Sequence, residues 1–269
     1  MRTVLTIAGS DSIGGAGVQA DIKAIASLDL HGASVLTAIT AQNTMRVAKI
    51  VPLETKDILA QIDAVLEDAK ISAVKTGMLY SGDIARTVAK RLRGEGLPLV
   101  VDPVMVAGVG DELFSKGLLE AMRKDLFPMA TVVTPNRHEA EKLASMTIDG
   151  LESTREACMA ISDLGPGSVL IKGGHFEGDD VVDVLYHEGR TIEFAAPRSP
   201  NKVHGAGCTL ASYIAGNISK GMDIRKAVLD AKRRITDAIA LSYRIGGGMN
   251  AINPMASKQK DALRGERIE

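Results

Sequence analysis

Tryptophan is absent from the 269-residue chain, and phenylalanine and tyrosine number four each. Proteins that bind single-stranded nucleic acid stack bases on aromatic side chains, so this scarcity argues against that class and leaves the core to aliphatic residues. Cysteine occurs only as Cys158 and Cys208, too few for a disulfide framework and without the paired spacing of a structural zinc site. A reducing compartment is implied. A surplus of one charge is missing too: 32 Lys and Arg face 33 Asp and Glu, and no basic block stands out to meet a phosphate backbone. No stretch approaches 18 uninterrupted apolar residues, and Met1 to Ala8 lacks the long apolar region of a secretory leader. The sequence therefore predicts a soluble cytoplasmic protein with no nucleic-acid or membrane partner.

What the chain does have is alternation. Short β-rich runs at Thr3–Ala8, Ser34–Thr40, Ala73–Thr76, Leu99–Val101, Thr131–Val133 and Val169–Ile171 are interleaved with amphipathic segments. Those segments are Gly17–Leu28, Lys56–Asp68, Gly82–Leu92, Leu118–Leu126, Arg137–Leu143, Arg155–Leu164, Gly207–Ser219 and Ile224–Leu241. This is the sequence form of βα units around a largely parallel sheet. Val181–Tyr186 and Thr191–Phe194, split by Glu188-Gly189-Arg190, read as an antiparallel hairpin at the sheet edge. No linker or repeat divides the chain, so residues 1–256 read as one domain, and the charged segment 257–269 as a frayed tail or solvated helix.

Ligands of parallel sheets bind beyond the carboxyl ends of the strands, and there the chain turns polar and glycine-rich. The runs are Gly9-Ser10-Asp11-Ser12, Ala41-Gln42-Asn43-Thr44, Gly77-Met78, Asp102-Pro103, Thr134-Pro135-Asn136 and Lys172-Gly173-Gly174. Gly15-Ala16-Gly17-Val18-Gln19-Ala20 fits a dinucleotide fingerprint, but six residues separate it from its strand. The second strand, moreover, ends Ala38-Ile39-Thr40 without an acid for a ribose, which argues against NAD. Walker A, G-x-S-x-G and H-E-x-x-H motifs are absent.

The sharpest local feature is His204-Gly205-Ala206-Gly207-Cys208-Thr209, a glycine-rich turn entering a helix. Free amides and the positive dipole end there form an anion pocket without a basic side chain. Cys208 would sit in the first helical turn, where thiolate is favoured and the sulfur can act as base or nucleophile; its bland alternative is a packed small hydrophobe. Glu139 opens a helix and can simply answer the dipole, but beside a phosphate pocket it needs a cation. Asn136, Glu139 and Asp102 are therefore candidates for the magnesium side, through waters more than by direct contact. Lys172 brings a point charge to the same rim, or snorkels at an edge. The five histidines lack zinc spacing and read as surface or supporting groups, and Met78 and Met105 fall where they could line an apolar pocket.

Seven runs in order, AGSDSIGGAGVQADIK from Ala8, TAITAQNT from Thr37, KTGML from Lys75, VVDPVM from Val100, TPNRHEAE from Thr134, LIKGGH from Leu170 and HGAGCTLASYIAG from His204, resemble the hydroxymethylpyrimidine/phosphomethylpyrimidine kinases of the ribokinase-like superfamily. The resemblance implies a three-layer α/β sandwich with a mostly parallel central sheet and helices on both faces. It also implies MgATP-dependent phosphorylation of a hydroxymethylpyrimidine and of its monophosphate in thiamine biosynthesis, and a homodimer. Residue by residue, Gly205, Ala206 and Gly207 match the anion hole and Cys208 the base. Gln42 matches the reader of the aminopyrimidine, Met78 and Val104 the apolar walls, and Gly9 and Asp21 the substrate end. Lys172 and Asn136 match ATP-binding positions, and Glu139 and Asp102 the magnesium-side acids. Gly108 stands where the family often has a lysine. Val106–Gly110 and Gly173–Asp180 are candidate covers that would exclude water. Two rivals remain: a pyridoxal-type kinase using the same pocket, and a non-catalytic ligand-binding regulator on the same fold.

Overall fold

The parallel strands alternate residue by residue between two apolar cores, which is why each carries a nearly continuous aliphatic run. A computed structural model describes residues 1–105, 115, 117–175, 178–256 and 265–268. In chain order its elements are β1 (Thr3–Asp11), α1 (Gly17–Ala26), β2 (His31–Gln42), β3 (Val47–Pro52), α2 (Thr55–Asp68), β4 (Ile71–Thr76), α3 (Gly82–Leu92), β5 (Leu99–Val101), α4 (Leu118–Ala121) and β6 (Val132–Val133). They continue as α5 (Arg137–Ala144), α6 (Leu151–Ser162), β7 (Ser168–Ile171), β8 (Asp180–His187), β9 (Arg190–Pro197), β10 (Val203–His204), α7 (Ala206–Ser219), α8 (Ile224–Ala240), β11 (Asn250–Ala251) and β12 (Gly265–Ile268).

Leu5, Val74, Val101, Val133 and Ile171 point into one core, closed by α2 to α6. Their neighbours Val4, Ala73, Val100, Val132 and Leu170 point into the other, closed by α1, α7 and α8. The result is a three-layer sandwich. Burying a Val, Leu or Ile side chain completely contributes about 1.5–3 kcal/mol, so these paired faces hold the sheet and both helical layers together. The sheet runs in the order β12-β9-β8-β7-β6-β5-β4-β1-β2-β3. Its six central strands from β7 to β2 are parallel, and antiparallel strands flank them on both sides.

Every strand and helix expected from the sequence forms, including the hairpin, here β8–β9. β3 was not anticipated. It is a mostly solvent-facing edge strand, so it lacks apolar alternation and owes its pairing to the length of β2. The helix expected over Leu118–Leu126 changes character after Ala121, widening into a π-helical turn at Met122–Leu126 and tightening at Phe127–Met129, where Pro128 lacks an amide to donate. Within the charged tail, Gly265–Ile268 is neither frayed nor helical: its backbone pairs antiparallel with the outer edge of β9. Among the described residues, no helix is long and apolar enough to cross a membrane.

Candidate active site

Parallel strands in one sheet deliver all their carboxyl ends to one rim, and here α7 starts on that rim. A cleft of about 960 Å³ opens there. It brings together Gly9, Gln42, Met78, Asp102, Val104, Asn136, Glu139, Lys172 and the run Gly205 to Cys208, which is every expected site residue but one. The exception is Asp21, which has no exposed side-chain surface and does not line the cleft. It sits inside α1, tied to Lys75, Thr6 and Ser212.

The turn before α7 can be made only by glycine. Gly205 caps the helix at φ +92°, a left-handed conformation, and a Cβ there would overlap the Gly15 carbonyl oxygen. No side chain caps α7, and the first amide to close a helical bond is that of Thr209, to the Gly205 carbonyl at 3.0 Å. The amides of Ala206, Gly207 and Cys208 precede it and face the cleft, where the helix dipole favours an anion. Gly207 has its own reason to lack a side chain: a Cβ there would lie 3.2 Å from Lys172 Nζ and 3.7 Å from Asp102 Oδ2.

Cys208 is half-buried in the first turn of α7, as expected, but its surroundings do not favour the thiolate. Burial pushes the thiol up to about 11, more than Lys75 and the Gly17 amide bring it down, and Asp21 and Asp102 add to the rise. The helix terminus supplies donors for a visiting anion.

Two buried carboxylates face one lysine across the cleft. Lys172 Nζ lies 2.8 Å from Asp102 Oδ1 and 3.9 Å from Glu139 Oε2, with Thr134 Oγ1 donating to Asp102 at 3.2 Å. Asn136 and Glu139 form a reciprocal cap on α5: Asn136 Oδ1 accepts the Glu139 amide at 3.0 Å, and Glu139 Oε2 accepts the Asn136 amide at 2.7 Å. Glu139 thus fulfils the ordinary helix-start role and also lines the cleft. Burial pushes its carboxyl up; Lys172 opposes that, and the Asp102 charge reinforces it. One carboxylate more than cations is the condition in which a divalent cation fits. No cluster of three or more such ligands exists among the described residues, so most of that ion's ligands would have to be phosphate and water oxygens.

At one end of the cleft, Met78 packs with Ala38 and Val104 into a small apolar wall. Gly9 leaves room for the Met78 sulfur, which a Cβ would approach to 2.9 Å. Gln42 is anchored here by a network that sequence reading missed. His204 Nε2 lies 3.1 Å from Asp11 Oδ2 and 2.8 Å from the Gln42 side-chain amide, and Asp11 also accepts the amides of Gly15 and Ala16. Burial alone would raise the Asp11 carboxyl, but the His204 and backbone hydrogen bonds outweigh it and hold it low. His204 is therefore a supporting group, as its lack of ligand spacing suggested.

The other end is lined by Val181, Ala196, Pro197, Ile235 and Ile239, with the buried pair Lys232 and Asp183 at 2.9 Å. Asp183 Oδ1 accepts the Gly173 amide at 2.8 Å, fixing the loop that follows Lys172, and Arg198 binds the carbonyls of Gly174 and Gly178. The described ends of the candidate cover Gly173–Asp180 are thus tethered. The other candidate, Val106–Gly110, including Gly108, lies outside the described residues. Sequence reading also missed Lys75 and the Lys232–Asp183 pair; for Lys75 the signal was a lone charge inside an otherwise buried strand.

Residues 11–253 match the phosphomethylpyrimidine kinase family. The hydroxymethylpyrimidine/phosphomethylpyrimidine kinase of Streptomyces coelicolor is 45% identical over 251 residues, covering 93% of each chain. The pyridoxal kinase of Staphylococcus aureus, solved in complex with AMP-PCP and pyridoxal, is 31% identical with a TM-score of 0.89, covering 100% of this chain and 98% of its own. A phosphomethylpyrimidine kinase structure from Clostridium difficile is 40% identical with a TM-score of 0.78, over 89% of this chain and 100% of its own.

Proposed function

This chain belongs to the phosphomethylpyrimidine kinase family, and from that premise we infer that it phosphorylates 4-amino-5-hydroxymethyl-2-methylpyrimidine, and then the monophosphate, in thiamine biosynthesis. The observation that carries the reading is the meeting of three features at the opening of α7: free amides, a sulfur, and Lys172 between two acids. Such a site suits the transfer of a phosphoryl group from ATP to a small alcohol.

In the first step the hydroxymethyl oxygen attacks the γ-phosphorus of ATP. The new O–P bond forms as the bond to the bridging oxygen breaks, and ADP leaves with that electron pair. The carbinol proton passes to the Cys208 sulfur in its thiolate form. The amides of Ala206 to Cys208 face the equatorial phosphoryl oxygens, and losing one comparable donor costs about 2.7–4 kcal/mol in other enzymes. Lys172 exchanges part of its contact with Asp102 for the phosphate. Asp102 and Glu139 stand on the side where Mg²⁺ would be held together with the nucleotide, and such an ion neutralises charge on the β- and γ-phosphates. The apolar slot at Val181, Ala196 and Ile239 suits a nucleobase, with Asn136 beside the phosphates. Gln42 faces the substrate end with an amide that can both donate and accept, a match for an aminopyrimidine edge. The chain is expected to act in the cytoplasm as a homodimer.

A pyridoxal kinase reading is favoured by the structural likeness to the Staphylococcus aureus enzyme. Parallel ADP-release assays with hydroxymethylpyrimidine, its monophosphate and pyridoxal separate the two, and turnover of pyridoxal alone overturns the pyrimidine reading. Cys208→Ala is expected to lower kcat by about 10²- to 10⁴-fold while ATP still binds; full turnover by this variant would remove the base role.

A further inference from the structure

Three side chains from three strands share protons at the substrate end of the cleft: Asp11 on β1, Gln42 on β2 and His204 on β10. Asp11 and His204 are buried. Asp11 Oδ2 accepts the amides of Gly15 at 3.0 Å and Ala16 at 2.8 Å, and Oδ1 accepts that of Ile13 at 3.2 Å. Burial would raise this carboxyl, but His204 and the backbone donors outweigh it, so Asp11 is an ionised group that can only accept. His204 Nε2 lies 3.1 Å from Asp11 Oδ2, and that nitrogen must therefore carry a proton. The opposite tautomer fails twice. A bare Nε2 lone pair would face the carboxylate, and the proton moved to Nδ1 would be buried without an acceptor, since Nδ1 has no hydrogen-bond partner among the described residues.

Gln42 stands between His204 and Thr40. Its Nε2 lies 2.8 Å from His204 Nε2, and its Oε1 lies 3.2 Å from Thr40 Oγ1. The protons oppose that orientation at both ends. A protonated His204 Nε2 has no lone pair to accept from an amide N–H, and the single Thr40 hydroxyl proton is already engaged with the Ser10 carbonyl at 2.8 Å. The reverse orientation satisfies both ends: the amide oxygen accepts from His204 Nε2–H, and the amide nitrogen donates to Thr40 Oγ1, which keeps a lone pair for it.

We propose that His204 is a specificity-determining positioning residue: its Nε2–H, oriented by Asp11, holds the Gln42 amide oxygen on the His204 side and turns the amide nitrogen toward Thr40. This rests on Gln42 reading the pyrimidine in the function proposed above. Each end of the amide keeps one group for the cleft, a lone pair on the oxygen and an N–H on the nitrogen. The ring edge that fits brings a donor to the His204 side and an acceptor to the Thr40 side. An aminopyrimidine offers that order with its exocyclic amino group and the adjacent ring nitrogen. With the amide reversed, the same edge in the same pose would meet donor with donor and acceptor with acceptor.

The test is a neutron crystal structure of the full-length protein, deuterated and without substrate. A deuteron on His204 Nε2 is expected, with both amide deuterons of Gln42 on the atom facing Thr40. Amide deuterons facing His204, or a bare His204 Nε2, overturn the proposal. Steady-state kinetics give the second readout. His204→Leu removes the donor, and KM for the hydroxymethylpyrimidine should rise about two- to tenfold while KM for ATP stays within about twofold. His204→Gln returns an N–H donor and should recover most of that loss. A merely structural histidine would move both KM values or neither, with no rescue by glutamine, and that pattern also overturns the proposal. The neutron arm needs no variant, so a His204→Leu chain that fails to fold still leaves the proposal open to refutation. It needs no substrate either, so a wrong pyrimidine assignment leaves that result standing and shows instead in the parallel turnover assays.

Discussion

Gly205 and Gly207 look alike in sequence and should fail in different ways when given a methyl group. At Gly205, alanine would adopt φ +92° and its Cβ would overlap the Gly15 carbonyl, with the Ala16 Cα 3.2 Å away. The left-handed conformation costs about 1–2 kcal/mol, and a backbone collision adds about 1–3 kcal/mol because no rotamer relieves it. A total of about 2–5 kcal/mol lowers Tm by roughly 4–20 °C in a domain of this size. The α7 amides also lose their aim, which costs about 10²- to 10³-fold in kcat. At Gly207 the backbone is helical, where alanine is about 1 kcal/mol better than glycine, and the close neighbour is the movable end of Lys172 at 3.2 Å. Gly207→Ala should keep or raise Tm while kcat falls, because the methyl group displaces Lys172 and occupies the space of the moving phosphoryl group. Thermal melts and ADP-release kinetics on both variants decide the matter. Equal losses of Tm in the two, or a Gly205→Ala enzyme with wild-type Tm and kcat, would refute the reasoning.

Two further outcomes follow from buried polar groups. Asp183→Asn weakens the acceptor that holds the Gly173 amide, a charge-assisted bond of about 1.5–3 kcal/mol, so KM for ATP should rise about tenfold or more while KM for the pyrimidine stays put. A change confined to the pyrimidine KM would place Asp183 at the wrong end of the cleft. Burial raises the Cys158 thiol from 9.0 to about 12, so the folded state holds this proton more tightly than the unfolded chain. The stabilisation is complete below pH 9 and is lost as pH rises toward 12, at about 1.4 kcal/mol per pH unit within that window. Denaturant melts between pH 9 and 11 should therefore show a shallower decline in Cys158→Ala than in wild type, and parallel declines would contradict the burial effect.

Much of this was legible before any coordinates. Apolar runs such as Val169-Leu170-Ile171 announce strands covered on both faces, and glycine-rich ends such as Gly205-Ala206-Gly207 announce a rim where backbone meets ligand. Local pattern carries such information because each strand and each helix start is a matter of a few neighbouring residues. What stayed hidden depends on distant partners. Lys75 meets Asp21 across 54 positions, and Asp21 meets Ser212 across 191, so neither the pair nor the removal of Asp21 from the cleft can be read from spacing. The Cys208 thiol misleads for the same reason: its place at a helix start is local and visible, but the desolvation that outweighs it comes from packing. β3 escaped because an edge strand is specified by its neighbour's length more than by its own residues.

The loops at the substrate end interlock around glycines. Gly205 makes room for the Gly15 carbonyl, Gly15 for the His204 ring, and Gly17 for the Gly9 carbonyl. A mould built this way has almost no adjustable parts, since any side chain added at these positions pushes one loop off another. Natural drift or laboratory selection toward a different aromatic alcohol must therefore work through the few replaceable side chains bordering the mould, Gln42, Met78 and Val104. Exchanging those three between this enzyme and a pyridoxal-accepting relative is the shortest route to moving preference from one ring to the other.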